Sequence, residues 1–544
     1  MKNTCESAPK WSRWGGLVVG VALSAACGGN DGDSGSGGAT TAGTGGVGGQ
    51  LAESGAPCDA ATGCASGHCT DGVCCESACD ASCESCAVNG SEGVCTPAEV
   101  GTNPDNECVS GSCDATRSCT GAIHAWSKGF ENLNLFDLAT AEDGSVVAVG
   151  SFRNSVNLGG TDLVSAGLRD IIVARFERDG RHVWSKRFGT VNDEQAHAVS
   201  VDPAGNIWVT GFALSPIDFG GGSLTSGSKN DVFVLKLNPT GAHLFSKLYG
   251  NFESDVGDEI VATADGVYLS GRHLYYINFG GIAFVGPGLY LAKLDLFGQH
   301  VWSKSFGLHQ ADAVVPGQSQ IAISAQGRIV LSAAFNGTID LGGGKLTSAT
   351  DSDVLLASFD ADGNPEWSKS FAINRPFVTL ATDADGAINL VGPFLDTVDF
   401  GSGALTSVGG ADAFLAVFEA SGAPRWSRRF GNTGTEHFSG IGVDAATGVV
   451  SVTGAIQGEV DFGGGPLNEG GETDAVLVRL DRDGTHLFSA SYGGSGDNDS
   501  YALTLDGSDV VIGGACNGAL DFGGGPISCS MPYSGTIARF TSAP

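Results

Sequence analysis

Ten carboxylates lie in the irregular segments between sequence repeats, where binding and catalytic groups usually occur. They are Asp193, Glu194, Glu253, Asp255, Asp258, Glu259, Asp312, Glu436, Asp497 and Asp499. Such groups could bind a divalent cation, a glycan or a basic protein surface. A correctly spaced pair could cleave a glycosidic bond by acid–base chemistry, as in hydrolases or lyases. The carboxylates could also simply form a solvated face. Because their separations cannot be read from the sequence, all of these alternatives stay open.

A second set of polar residues recurs once in each repeat, just before an apolar residue and a glycine. These residues are Asn157, Asp218, Asn278, Asp340, Asp399, Asp461 and Asp521. Asp and Asn side chains commonly accept hydrogen bonds from the backbone that follows them, which holds a tight turn. We therefore expect a structural role for this set, with a ring of calcium ligands as the alternative.

Sixteen cysteines are the other chemically distinctive feature. Beyond Cys5 and Cys27, twelve lie in a short segment and two in the last repeat: Cys58, Cys64, Cys69, Cys74, Cys75, Cys79, Cys83, Cys86, Cys95, Cys108, Cys113 and Cys119, then Cys516 and Cys529. An even number of cysteines in a loop-rich exported segment indicates a disulfide framework that replaces a hydrophobic core. The alternative is a zinc site built on Cys79-x3-Cys83-x2-Cys86 with His68, which an oxidising compartment disfavours.

Cys516 and Cys529 occur only in the last repeat, and we expect them to pair with each other. The alternative is that one of them bonds to the cysteine-rich segment and docks that segment on the repeats.

No standard catalytic signature is present. The sequence lacks His-Glu-x-x-His, Gly-x-x-x-x-Gly-Lys-Ser/Thr and Gly-x-Ser-x-Gly. Five histidines recur at one position of the repeat, which favours a structural role for them: His124, His182, His243, His300 and His486. We therefore favour a non-catalytic protein that needs no cofactor, with a bound calcium ion as the alternative.

These residues must be positioned by a repeat architecture. The motif Trp/Phe-Ser-x-x-Phe/Tyr, usually with Lys after the Ser, occurs seven times, and its first aromatics are Trp126, Trp184, Phe245, Trp302, Trp367, Trp426 and Phe488. A spacing of about 60 residues between copies is typical of an array of similar structural units.

One unit, residues 196–250, predicts four short strands at 198–201, 207–211, 231–237 and 243–249, with a connector at 217–226. Four antiparallel strands per unit form one propeller blade. The hairpin text Val-Ser-Val-Asp-Pro-Ala-Gly-Asn-Ile-Trp-Val-Thr-Gly resembles NHL-type and SBBP-type bacterial propeller repeats. That resemblance implies an all-β, seven-bladed β-propeller over residues 124–544, and it implies no particular activity.

The strand at which the repeats begin and the strand at which they end predict how the propeller closes into a ring. The Trp-Ser-Lys strand is the outermost strand of its unit, so the propeller begins with an outer strand at 124–130 and ends with a third strand at 535–540. We expect these two segments to pair and complete the last blade.

The N-terminus predicts export. Lys2, Lys10 and Arg13 precede an apolar stretch too short to span a bilayer. The sequence Leu23-Ser-Ala-Ala-Cys27 resembles the lipobox of bacterial lipoproteins, which implies lipidation of Cys27 and, with Gly28 following, residence in the outer membrane. An ordinary signal peptide cut near Ala26 and an uncleaved anchor remain alternatives.

The chain therefore divides into a signal peptide at 1–26, a lipid-anchored flexible tether rich in Gly and Ser at 27–57, a cysteine-rich module at 58–120 and the propeller at 124–544. The segment Cys64-Ala-Ser-Gly-His-Cys69-Thr-Asp-Gly-Val-Cys74-Cys75 resembles a module common in secreted Gram-negative lipoproteins. Thirty residues of such a tether would reach roughly 30 Å.

The composition limits the partners. With 28 Lys and Arg against 60 Asp and Glu, the net charge is -32 over 544 residues. A surface this acidic repels nucleic-acid phosphates and anionic lipids. We therefore expect the lipid anchor to be the only contact with the membrane. We expect a monomeric binding or scaffold protein of the cell envelope or cell surface that presents an acidic propeller face to a glycan, a protein or a divalent ion. A carbohydrate-active enzyme and a purely structural surface component are the alternatives.

Overall fold

The computed structural model describes residues 53–58, 64–66, 68–70, 73–77, 84–86, 92–97 and 121–542, except for 228, 308–317, 376, 468–471 and 495. Within these ranges there are strands and turns but no helix, and therefore none that is long and apolar enough to cross a bilayer.

Seven antiparallel sheets of four strands confirm the seven-bladed propeller. The first strands of neighbouring blades contact one another in a closed circle, so they surround the central channel. In blade order the first strands are Leu133–Thr140, Gln195–Val201, Val256–Thr263, Ser319–Ile323, Thr379–Thr382, His437–Val443 and Asn498–Asp506. The second strands are Val146–Phe152, Ile207–Ala213, Gly266–His273, Ile329–Phe335, Ile388–Phe394, Val450–Ile456 and Asp509–Leu520.

The outer half of each blade completes the sheet. The third strands are Asp170–Phe176, Asp231–Leu237, Gly288–Leu294, Asp353–Phe359, Asp412–Phe418, Asp474–Leu480 and Ile527–Ser542. The fourth strands are His182–Phe188, His243–Tyr249, His300–Gly307, Pro365–Phe371, Pro424–Phe430, His486–Tyr492 and Ala122–Glu131.

The ring closes as the repeat phase predicts. Ala122–Glu131 pairs antiparallel with the third strand of blade 7, with Trp126 opposite Arg539 and Phe130 opposite Gly535. The first and last parts of the propeller chain therefore share one blade, which removes the open edge that either would otherwise expose.

The connectors between second and third strands form short hairpins of their own, which the sequence did not predict. They are Ser155–Val156 with Leu163–Val164, Ile217–Asp218 with Ser223–Leu224, Tyr276–Ile277 with Phe284–Val285, Thr338–Asp340 with Lys345–Thr347, Thr397–Asp399 with Ala404–Thr406, and Val460–Asp461 with Pro466–Leu467. In blade 7 the two long strands themselves extend into this region.

The recurrent Asp and Asn residues hold these connectors, as expected. In all seven blades the side chain accepts a hydrogen bond from the glycine amide two residues on, at 2.7–2.8 Å. The turn role is therefore confirmed.

The recurrent histidines and glycines contact one another, which explains why both are repeated. His243 is hydrogen-bonded to Ser246 at 2.9 Å, and a β-carbon at Gly221 would lie 2.2 Å from the His243 ring. The same arrangement recurs with His124, His300 and His486. Since the imidazole fills the space that a side chain at the glycine would need, the two motifs form one packing unit.

The aromatic residue of the Trp-Ser-Lys strand joins each blade to the next. Trp184 donates a hydrogen bond to the carbonyl of Pro239 in the following blade at 3.0 Å, and its ring lies against Gly241. The Lys position contacts the same turn: Lys369 donates to the carbonyl of Gly422 at 2.6 Å. The Lys position therefore takes part in a direct contact between blades.

The hydrophobic core lies between blades. Second and third strands are almost wholly buried, and one cluster joins Val147 and Val173 of blade 1 to Val209 and Leu235 of blade 2. Strands buried on both faces account for the continuous Val, Ile, Leu and Phe runs in the sequence.

The described residues of the cysteine-rich segment form two short antiparallel strand pairs, His68–Thr70 with Val73–Cys75 and Glu84–Ser85 with Thr96–Pro97. Three disulfides join Cys58 to Cys69, Cys64 to Cys74 and Cys75 to Cys86.

Candidate functional site

A bulge in the first strand sets the geometry of the central channel. In five blades one residue of the first strand is not paired with the second strand and forms a β-bulge. The residue that follows the bulge occupies the same position in all five blades. Taken with its counterparts in blades 4 and 5, this position defines the channel ring: Asp137, Ala198, Glu259, Gln320, Thr379, Gly440 and Ala502.

The channel ring is polar on one side only. Blades 1, 3, 4 and 5 contribute two carboxyl groups, an amide and a hydroxyl, whereas blades 2, 6 and 7 contribute Ala or Gly. The small residues are packed: Ala198 and Ala502 belong to core clusters, and a β-carbon at Gly440 would lie 2.8 Å from the side chain of Thr453. The ring is thus asymmetric although the fold around it is regular.

Asp137 supports the free edge of the neighbouring blade. Its carboxylate accepts a hydrogen bond from the amide of Leu138 and another from the amide of Val199 in blade 2, both at 2.8 Å. An innermost strand has no partner on its channel side, so such an amide needs a side-chain acceptor. Burial raises the pKa of Asp137 to about 7.

Glu259 is the second carboxyl of the ring. Burial raises its pKa well above the usual value, and the charge of Asp137 raises it further. Its carboxylate accepts a hydrogen bond from the amide of Ile260 at 3.1 Å and interacts with the side chain of Gln320. Thr379 in turn donates to Gln320 at 3.3 Å. The four polar members of the ring therefore form one interacting group.

His197, the extra residue of the bulge in blade 2, lies beside this group. One ring nitrogen is 3.1 Å from the carbonyl of Gly257, and the ring packs edge-on against Phe136 and Phe212. Burial, followed by the charge of Arg272, lowers the pKa of His197 to about 4. The imidazole is therefore neutral at neutral pH and can donate or accept a hydrogen bond.

Four of the carboxylates proposed from the sequence are buried and do not form part of an exposed face. They are Glu194, Asp255, Asp258 and Glu436. Glu194 accepts hydrogen bonds from the amide and hydroxyl of Thr190. Asp258 accepts from the amide and hydroxyl of Ser319 in the next blade, at 3.0 and 3.1 Å. These side chains stabilise loops and blade contacts.

The other candidates lie nearer the surface. Asp193 forms a bidentate ion pair with Arg169, Asp499 lies 3.0 Å from His437, and Asp497 accepts a hydrogen bond from Thr473. Glu253 is exposed. Asp312 lies outside the described residues. Of the ten, only Glu259 belongs to the channel ring.

Sequence reasoning missed Asp137, His197 and Arg272. A usable signal existed for Asp137, because the equivalent residue is Ala or Gly in three other blades. That position can be identified only when the bulge is known, because the bulge shifts by one residue which side chains face each side of the strand. His197 is the bulge residue itself.

The disulfides decide between the two interpretations of the cysteines wherever both partners are described. Cys86 is bonded to Cys75, so it supplies no thiolate to the zinc site considered from the sequence, and that interpretation is wrong. Cys58, Cys64 and Cys74 lie close enough together to suggest a metal site, yet all three are engaged in disulfides. Cys95 is also disulfide-bonded.

Cys516 pairs with Cys529 inside blade 7, as expected. The remaining predicted disulfide cysteines, Cys79, Cys83, Cys108, Cys113 and Cys119, lie outside the described residues, as does Cys27.

Fold and site together define the class: an all-β, seven-bladed propeller with a one-sided polar channel. No family model matches the chain. A regulatory protein of Caulobacter vibrioides, FlaEY, is 26% identical over 199 residues, which are 35% of this chain and 20% of that protein. The similarity thus spans about a fifth of that protein.

Several solved propellers can be superposed at low similarity. The WD40 propeller domain of Doa1 matches with 10% identity and a TM-score of 0.39, covering 77% of this chain and 97% of that one. A polysaccharide lyase of family PL25, an ulvan lyase, matches with 11% identity and a TM-score of 0.39, covering 72% and 93%.

Proposed function

We propose that this protein is an exported, lipid-anchored binding protein of the cell envelope whose channel ring receives a glycan. The one-sided polarity of the ring supports this proposal. Asp137, Glu259, Gln320 and Thr379 are all partly exposed and supply hydrogen-bond acceptors and donors on one side of the ring. Hydroxyl-rich ligands match such a mixture, and a few convergent polar groups in a concavity are typical of ligand sites.

A glycan array probed with the full chain, followed by calorimetry on the best ligand, tests the binding role. Asp137→Asn and Glu259→Gln should each weaken binding by about tenfold or more, which corresponds to roughly 1.4 kcal/mol. Glu253→Gln is the matched control, because Glu253 is exposed and outside the channel ring. Binding that is unaffected by both ring variants would place the ligand elsewhere.

One observation favours a second function, a carbohydrate-active hydrolase or lyase. Asp137 has a pKa raised by burial to about 7 and interacts with a second carboxyl, Glu259. A carboxyl group that keeps its proton near neutral pH can serve as a general acid. Release of reducing ends or unsaturated sugars from an acidic or neutral polysaccharide, abolished in Asp137→Asn, would establish this activity.

The anchor is supported by Leu23-Ser-Ala-Ala-Cys27. Replacing Cys27 with Ala should release the protein from membranes or leave it unprocessed. If that variant still fractionates with membranes at normal mature mass, the protein is not a lipoprotein, and the binding role of the channel can be tested independently.

A further inference from the structure

A pair of acidic positions recurs at the start of the outer half of several blades. In blades 1, 2 and 5 the third strand begins with Asp, and the loop after the fourth strand brings a second carboxyl group close to it: Asp170 with Glu194, Asp231 with Asp255, and Asp412 with Glu436. In blade 6 the equivalent positions hold Asp474 and Asn498.

A glycine after the fourth strand makes room for each pair. A β-carbon at Gly189, Gly250, Gly431 or Gly493 would lie within 3 Å of the carboxyl group of the Asp that begins the third strand. The second member follows each glycine by five residues. The recurrence therefore reflects a packed, repeated arrangement.

Blades 1 and 5 neutralise this arrangement with an internal cation. The residue two positions before the glycine is Arg187 or Arg429, and each guanidinium donates to the Asp of its own blade. In blade 2 the equivalent residue is Leu248. Asp231 and Asp255 thus form the pair that has two carboxyl groups and no arginine.

The blade 2 pair has unsatisfied oxygens. Asp231 is fully buried and Asp255 is 1% exposed. One oxygen of Asp231 accepts from the hydroxyl of Ser226, and one of Asp255 accepts from the amide of Leu274 at 3.2 Å. The other oxygens, Oδ1 of Asp231 and Oδ2 of Asp255, make no hydrogen bond of good geometry, although the backbone amides of Gly227 and Asn251 interact with the two carboxyl groups.

Both unsatisfied oxygens converge on one point. They lie 2.1 Å and 2.7 Å from the position that a β-carbon would occupy at Gly250. Two buried carboxylates this close are unfavourable unless a cation or a shared proton lies between them. Burial raises the pKa of Asp231 to about 6 and that of Asp255 to about 7.

We propose that Asp231 and Asp255 hold a calcium ion in blade 2, where it takes the place of the arginine found in blades 1 and 5. Both unsatisfied atoms are carboxylate oxygens, which are the ligands that hard divalent cations prefer. The Ser226 hydroxyl, bonded to Asp231, lies next to this pair. The ion would stabilise blade 2 independently of any ligand in the channel.

The test uses the full chain, stripped of divalent ions with EDTA and titrated with Ca²⁺ alone. Calorimetry should show a saturable site, and Ca²⁺ should raise the melting temperature. Asp255→Asn should weaken calcium binding by at least about tenfold. Glu253→Gln, a nearby exposed carboxylate, should leave it unchanged.

Leu248→Arg is the decisive variant, because it gives blade 2 the internal cation of blades 1 and 5. This variant should abolish the calcium-dependent rise in melting temperature, while the protein stays folded in EDTA. A wild type that shows no calcium-dependent stabilisation overturns the proposal and leaves a shared proton between the carboxyls. A calcium response that persists in both Asp255→Asn and folded Leu248→Arg also overturns it.

Discussion

At the scale of single residues, the buried carboxyl groups of the channel make stability depend on pH. Asp137 has a folded-state pKa of about 7, raised by burial, while the unfolded chain has the ordinary value near 3.8. Between these values the unfolded state releases a proton that the folded state keeps. Asp137 therefore lowers the stability progressively as pH rises from about 4 to about 7.

Asp137→Asn should remove this contribution. The amide oxygen can still accept a hydrogen bond from the backbone, so the fold should persist. Thermal or urea unfolding in EDTA, measured from pH 4 to pH 8, should show a shallower decline in this variant than in the wild type. Glu253→Gln serves as the exposed control, and an unchanged slope in Asp137→Asn would contradict the assignment.

Arg539 is a buried residue at the joint between blades 7 and 1. Its side chain is 1% exposed and pairs with Asp506 and Asp509, and it donates to the carbonyl of Gly144 in blade 1 at 2.9 Å. Removing one partner of a buried ion pair leaves the other charges uncompensated.

Arg539→Leu should therefore lower the free energy of unfolding by about 3–5 kcal/mol. Arg178 offers a matched control, since it contacts the same two aspartates from a side chain that is 60% exposed. Arg178→Leu should cost about 1 kcal/mol or less. Equal losses in the two variants, measured by urea unfolding, would refute the special role of Arg539.

At the scale of elements, the repeated sequence motifs are contacts between blades. The outer-strand aromatic of one blade lies against the glycine of the next blade's outer hairpin. Gly422 has a φ of +79°, and a β-carbon there would meet the ring of Trp367 at 2.9 Å. The glycine is therefore required for both its backbone conformation and its close approach.

Gly422→Ala should destabilise the protein through both effects. Gly286 has a φ of +95° but no atom within 4 Å of an added β-carbon, so Gly286→Ala measures the backbone strain alone. The overpacking at Gly422 should add about 1–3 kcal/mol. If the two variants unfold at the same denaturant concentration, the aromatic joint contributes little.

At the scale of the whole molecule, the shared blade closes the ring. Deleting residues 122–131 should leave the third strand of blade 7 without its outer partner and expose an unpaired edge. Aggregation or a large loss of thermal stability is the expected result, seen by scanning calorimetry and light scattering. A soluble deletion variant of normal stability would show that the shared strand is dispensable.

The Cys516–Cys529 disulfide reinforces this same blade. The bridge closes a short loop, for which the chain-entropy estimate is about 3 kcal/mol. Blade 7 is thus completed by a strand from the start of the propeller chain and also carries a covalent crosslink.

Much of the fold could be predicted from the sequence because its signals are local. Alternating apolar residues, turn glycines and the recurring Trp-Ser-Lys motif indicated seven units of four strands, and their phase indicated the pairing of 124–130 with 535–540. The Cys516–Cys529 pair followed from its isolation in one repeat. These properties depend on strand alternation and on a repeat period, and both can be read along one chain.

Only the tertiary structure decided which carboxyl groups meet and which are buried. Asp137 meets Glu259 because bulges in two first strands orient both residues toward one channel. Asp231 meets Asp255 because a glycine lets a loop approach the start of the third strand. Such proximities depend on the closure of the ring and on small shifts of register, and residue type alone does not determine either one.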